Sequence, residues 1–233
     1  MKARKIIAIL KKQMNDTLKN KTVLIQFIMF PFMAFVMSNA ISTDGIPSTY
    51  FVILFATMYV GMAPMTSIAS IIAEEKEKNT LRVLLMSNVK PTEYLLGIGT
   101  YIFVVCSAGA VAFGVIGGFS GAELIRFILV MMVGIITSLL IGAAIGMMAK
   151  NQMGATAIAI PVMMIFSFLP MISMFNKGVE TFSKIIYTQQ INYMINDLSL
   201  SNFRWERVAV IGGNMAVYLG VFVWAYRRKG LEG

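Results

Sequence analysis

The sequence predicts an all-α, polytopic membrane protein with six transmembrane helices, and three observations carry that prediction. Of 233 residues, 58% are hydrophobic and only 13% charged, with a mean hydropathy of +0.75, so a chain the size of one soluble domain has the composition of a membrane body. Runs free of Asp, Glu, Lys and Arg occur at Val23–Ile41, Tyr50–Ala73, Tyr94–Phe119, Phe127–Ala149, Met153–Phe175 and Val208–Tyr226. Each is close to the roughly 20 residues a helix needs to cross the hydrocarbon core, and in lipid only internally hydrogen-bonded backbone can span. The third observation is the distribution of Lys and Arg. With six crossings both termini share one side, and that side holds seven basic residues before the first run, four within 74–93, Lys150 and three in the tail. The other side holds five, Arg126, Lys177, Lys184, Arg204 and Arg207, so the positive-inside bias places both termini in the cytoplasm.

Residues 1–22 form the first element. Ile7, Leu10, Met14 and Leu18 share one helical face and Lys5, Lys12 and Lys19 another, the pattern of a helix lying on the inner leaflet with basic groups toward anionic lipid. The Lys-rich start, the apolar run and small residues at Ser38 and Ala40 imitate a secretory signal, but Val23–Ile41 is 19 residues long and outruns the about 7 to 15 of a signal core. It reads as the first span of a domain covering 23–233.

After the second span comes EEKEKNTLRVLLMSNVKPTE, Glu74 to Glu93, with eight charges in twenty positions. At roughly 3 kcal/mol per charge at mid-membrane, burying them in lipid would cost on the order of 24 kcal/mol, so this loop lies in the cytoplasm. Glu74 and Lys78 are spaced as a helical ion pair, and Leu81, Leu84 and Leu85 make a short apolar stripe. Ser87 and Asn88 break it. Pro91 and Glu93 then restart a helix, with the carboxylate favoured by the N-terminal dipole. A short amphipathic helix held between two spans has the form of a lever.

Small residues recur every four positions at Gly134, Ser138, Gly142 and Gly146 in the fourth span and at Gly212, Ala216 and Gly220 in the sixth, which lets helix backbones approach closely. Pro161 and Pro170 divide the fifth run and mark candidate hinges. The outer segment, 176–207, places Val179, Phe182, Ile186 and Tyr193 near helical spacing and reads as helix on or dipping into the outer leaflet. Trp205 near one end of the last span, and Trp224 and Tyr226 near the other, fit the interfacial aromatic belts.

Composition also excludes chemistry. The chain has no histidine and one cysteine, Cys106, inside an apolar run, which removes disulfides, Cys/His metal sites and His-dependent catalysis. Asp16, Asp44 and Asp197 lie outside the runs, so no intramembrane aspartyl pair exists. An ion-coupled secondary transporter would keep ionisable groups near the midplane, whereas Gln26 and Asn214 are the most polar groups in the spans. Gly97 and Gly99 follow no strand and carry no dinucleotide fingerprint, and no GxxxxGK[ST] loop is present to bind ATP. The net charge of +9 has no interleaved stacking platform, which favours lipid over nucleic acid.

The order of these parts, and most specifically EEKEKNTLRVLLMSNVKPTEYLLG, resembles the permease subunits of ABC-2 transporters. The shared pattern runs from acidic residues through Gly-Thr and a leucine-rich helix to Pro and a Glu ahead of the third span. Asn79 stands where glycine is usual, and Asn tolerates the left-handed turn better than most residues. The resemblance covers nearly the whole chain and makes residues 1–22 an elbow helix and the 74–93 loop a coupling element that docks on a separate ATPase. It implies that Glu74, Glu75 and Glu77 pair with that partner while Leu81, Leu84 and Leu85 fill a groove on it. ATP and Mg would then bind the partner and no cofactor this chain.

The resemblance further implies two ATPase copies and a second permease, as a homodimer or a heterodimer, with a translocation path between protomers. Candidates for its lining are Phe51, Phe55 and Tyr59 from the second span and Met163, Phe166 and Met171 from the fifth. The chain is similar in size to compact bacterial permeases that export toxin peptides, such as the phenol-soluble modulin exporter. That implies export of hydrophobic or amphipathic cargo, most of all peptides, across a bacterial plasma membrane. Drug or antimicrobial-peptide resistance, or immunity, is the alternative in the same chemistry.

Overall fold

The computed structural model describes residues 7, 9–15, 21–41, 47, 49–86, 90–199 and 204–229. Among them there is helix and no strand. Residues 9–15 form α1, followed by α2 (Lys21–Ala40), α3 (Tyr50–Glu77), α4 (Thr80–Met86), α5 (Pro91–Ile116), α6 (Gly121–Met148), α7 (Gln152–Ser173), α8 (Lys177–Ser183), α9 (Tyr187–Asn196) and α10 (Trp205–Lys229). Five of these, α3, α5, α6, α7 and α10, are long and apolar enough to cross a membrane. The first expected span falls on α2, whose 20 residues measure about 30 Å.

Helix α3 is the hub, packed against α2, α5, α6, α7 and α9. Its partners reach it through periodic faces. On α2, Phe27, Phe30 and Ala34 are buried while Ile25, Ile28, Phe32 and Phe35 face outward, the one-sided pattern of a helix that lines a bundle and meets lipid. Tyr59 of α3 packs edge-on between Phe30 and Phe113, with ring centroids 6.2 and 5.4 Å away. The small face of α6, spaced for close backbone approach, lies directly on α3. A Cβ on Gly142 would stand 2.7 Å from Cα of Met65, so the two backbones touch there. The matching stripe on α10 behaves differently, since Gly212 and Gly220 have open space around them.

Pro161 and Pro170, the candidate hinges, both lie within α7, with Pro161 exposed and Pro170 buried. The outer segment, expected on or dipping into the outer leaflet, turns inward at α9. Helix α9 turns Tyr187, Ile191 and Ile195 inward together with Thr188, Gln189, Gln190 and Asn192, and packs against α3, α6, α7 and α10. Apart from the Thr188 hydroxyl, which has no partner among the described residues, its inward polar groups are matched. Asn192 Nδ2 donates to Thr57 Oγ1 at 3.0 Å, Tyr187 and Ser138 share a hydroxyl bond of 2.7 Å, and Ser173 Oγ donates to Gln189 Oε1 at 2.9 Å. Outside this contact, the Tyr193 hydroxyl donates to Glu180 of α8 at 2.9 Å. Burial first, and that carboxylate second, hold the hydroxyl above its ordinary pKa, so it remains a donor.

Candidate functional site

The charged segment after the second span ends α3 and begins α4. The amphipathic stretch is a separate seven-residue helix because the backbone reverses at Asn79, whose φ of 55° is left-handed. The N–H groups of Lys78 and Asn79 close the end of α3 on the carbonyls of Glu74 and Lys76, and Thr80 Oγ1 donates to the Glu75 carbonyl at 3.2 Å. This is how an Asn in the position usual for glycine keeps the corner.

Three consecutive side chains at this corner grip three different elements. Glu75, 6% exposed, accepts Lys12 Nζ and Gln13 Nε2 of α1 on the same oxygen, each at 2.7 Å. Lys76 donates to the carbonyls of Met147 and Ala149, at 3.0 and 2.9 Å, where α6 ends. Glu77 accepts the backbone N–H of Gln152 at 2.9 Å, where α7 begins. The signs match the helix dipoles, a cation at the C-terminus of α6 and an anion at the N-terminus of α7. The α7 start is further held by Asn151, which accepts from the Gly154 N–H at 2.8 Å, and by Gln152, whose amide donates to Ser70 of α3 at 2.8 Å. Beyond the corner, the Glu93 carboxylate accepts the Lys90 N–H at 3.1 Å and closes the first turn of α5, as the Pro91–Glu93 spacing predicts. Ile9 of α1 lies on α5, where a side chain at Gly97 would meet it at 2.8 Å.

Of the expected docking residues, Glu74 lies on the outer side of the corner, paired with Lys78 at 2.5 Å. Glu75 and Glu77 are engaged within the chain, and Leu81 is 1% exposed, folded back onto the core. The side chains of Leu84 and Leu85 lie outside the described residues. The outward face of α4 is made by Val83 and Met86, 61% and 79% exposed. Polar neighbours that the sequence did not single out, Gln13, Lys76 and Gln152, complete the corner. Their only signal was position at a helix end or beside Ile9 on one helical face.

The expected path residues divide. Phe51 and Phe55 of α3 and Met163 and Met171 of α7 are half-buried and reach the surface of the bundle. Tyr59 is wholly buried between α2 and α5, and Phe166, also half-buried, packs on the Tyr187 and Tyr218 rings at 5.2 and 5.9 Å. The open face of α7 belongs to Met164, Ile165, Phe168 and Ile172.

A family model described as ABC-2 family transporter protein matches residues 4–226. No curated protein matches the chain at a significant level.

Proposed function

Because the chain belongs to the ABC-2 family of transporter proteins, we propose that it is the permease of an exporter that moves hydrophobic or amphipathic cargo, peptides foremost, out of the cytoplasm. Family membership makes it a membrane subunit that works with an ABC ATPase subunit and is not itself the ATPase. In our reading two such ATPases serve a homodimer of this chain in the plasma membrane, ATP and Mg bind the ATPases, and both termini and the α3–α4 corner lie in the cytoplasm.

The observation that carries the reading is the grip of Glu75, Lys76 and Glu77 on α1, α6 and α7. A push on α4 reaches α3 through one left-handed residue, and α3 cannot tilt without taking the elbow helix and the α6–α7 turn with it. The ATPase would seat on Val83 and Met86, flanked by the Glu74–Lys78 pair, while Leu81 anchors α4 from behind. Cargo would pass along the half-buried Phe51, Phe55, Met163 and Met171 and the open face of α7, where unbranched Met side chains re-pack around varied apolar surfaces.

The test is co-purification with the partner ATPase and ATP-driven uptake of an amphipathic helical peptide into inside-out vesicles. Val83→Glu with Met86→Glu is expected to abolish both while leaving the amount of inserted permease unchanged. Normal assembly and uptake in that variant would remove α4 from the docking role.

A further inference from the structure

At the end of the molecule opposite the α3–α4 corner, a cavity of about 360 Å³ lies between α6, α9 and α10. Its walls are Leu129, Val130 and Val133 of α6, Ile191 and Met194 of α9, and Val208, Ile211 and Met215 of α10. Its mouth is charged. Arg126, Arg204 and Arg207 all line it, three of the five basic residues on that side of the membrane. Arg126 is aimed by a bond to the Leu198 carbonyl at 2.6 Å, and Arg207 by the Tyr193 carbonyl at 3.1 Å and the Tyr193 ring at 5.5 Å. Arg204 is exposed. Asp197 is the carboxylate among the lining residues, and it accepts both the backbone N–H and the hydroxyl of Ser199.

Size, apolar walls and a few convergent polar groups are the features of a ligand site. We propose that this groove holds an anionic phospholipid of the adjacent leaflet, its phosphate among the three guanidinium groups and one acyl chain between α6 and α10. Charge selects the headgroup, since guanidinium groups bind phosphate through paired, charge-assisted hydrogen bonds. Depth selects the chain. From Arg204 to Met215 the α10 wall descends eleven residues, about 16 Å, which matches half of the roughly 30 Å hydrocarbon core. Level selects the membrane over the aqueous phase, because exposed Trp205 stands beside the mouth, where an interfacial aromatic belongs. Gly212 lines the groove with open space where a side chain would be, and so leaves the width for a chain. The site depends on the membrane embedding and not on the docking role of α4.

The experiment is native mass spectrometry of the permease–ATPase complex released from nanodiscs containing equal phosphatidylglycerol and phosphatidylcholine. Retention of phosphatidylglycerol in preference to phosphatidylcholine is expected, with inorganic phosphate and glycerol phosphate unable to displace it. Arg204→Gln should lower that preference roughly tenfold, the effect of losing one charge-assisted contact. Gly212→Leu should remove both lipids from the site while leaving the melting temperature at or above wild type, since a Cβ there meets no neighbour and the rest of the side chain enters the open groove. Equal retention of the two lipids, or displacement by free phosphate, overturns the proposal. So does a Gly212→Leu protein that keeps its lipid but no longer binds an amphipathic peptide, which would make the groove a cargo site.

Discussion

Removing the two charges that tie the corner to the α6–α7 turn should uncouple ATP hydrolysis from transport. Lys76→Met keeps the aliphatic stem and deletes the ammonium that bonds the Met147 and Ala149 carbonyls. Charge-assisted bonds contribute about 1.5–3 kcal/mol each when dry, but Lys76 is only half-buried, and freed carbonyls at a helix end rehydrate, so the pair is worth about 2 kcal/mol. Glu77→Gln still accepts the Gln152 N–H and loses only the charge at an exposed helix start, about 0.5 kcal/mol. Together about 2.5 kcal/mol amounts to a shift on the order of 50-fold to 100-fold in the ratio of attached to detached turn. Spin labels on Val83→Cys and Met153→Cys, both exposed, report the corner-to-turn distance, and the buried Cys106 does not compete for label. In the parent protein this distance should stay single-valued through the nucleotide cycle. In Lys76→Met with Glu77→Gln it should broaden, and cargo moved per ATP hydrolysed should fall at least about tenfold. An unchanged distance distribution with unchanged stoichiometry would refute the reasoning.

Two further outcomes follow from packing and backbone geometry. Gly142→Leu must force α3 and α6 apart, because the added Cβ alone comes to 2.7 Å from Cα of Met65, and should cost more than about 2 kcal/mol, whereas Gly220→Ala on the open face of α10 should be neutral or stabilise by up to about 1 kcal/mol. Thermal unfolding in detergent separates the two, and equal shifts would contradict the packing. At the corner, Asn79→Gly should preserve assembly with the ATPase, while Asn79→Val, strained by about 1–2 kcal/mol at φ 55°, should weaken co-purification by misplacing α4.

The long helices, the charged corner, the left-handed Asn79 and the close-packing face of α6 were legible because each rests on a local rule: apolar length, the cost of charge in lipid, turn chemistry, and four-residue spacing of small side chains, although the same spacing on α10 meets open space. What the sequence hid is non-local. The spacing of Val179, Phe182, Ile186 and Tyr193 reads as the apolar side of the outer segment, yet Phe182 is 75% exposed, and the inward face of α9 is Tyr187, Ile191 and Ile195 with four polar neighbours. Those polar residues look like surface until their partners are known, and the partners Thr57 and Ser138 lie 135 and 49 positions from Asn192 and Tyr187. Glu75 is hidden for the same reason. A carboxylate in a charge-rich loop reads as solvated, and only the position of α1, 62 residues earlier at Gln13, shows it to be an internal bond.

The kind of bond changes along α3 in the way its surroundings require. At the corner each fastening uses a charged group, Glu75 paired with Lys12 and Lys76 and Glu77 bonded to backbone at helix ends. About 25 Å away along the same helix, at Thr57 to Val60, they are neutral: Ser138 donates to the Val60 carbonyl, Ser167 to the Met58 carbonyl at 3.2 Å, and Asn192 to Thr57. A charge there would cost roughly 3 kcal/mol, while a hydroxyl or amide bond between helices contributes about 0.6 kcal/mol, rarely above about 2. The weak set can therefore yield while the strong set holds. Under the proposed coupling, a tilt imposed at the corner would leave α3 joined to α1, α6 and α7 at that end and repack it against α7 and α9 at the other. The part that moves would then be the far half of the α3–α7–α9 contact, with the corner as its handle.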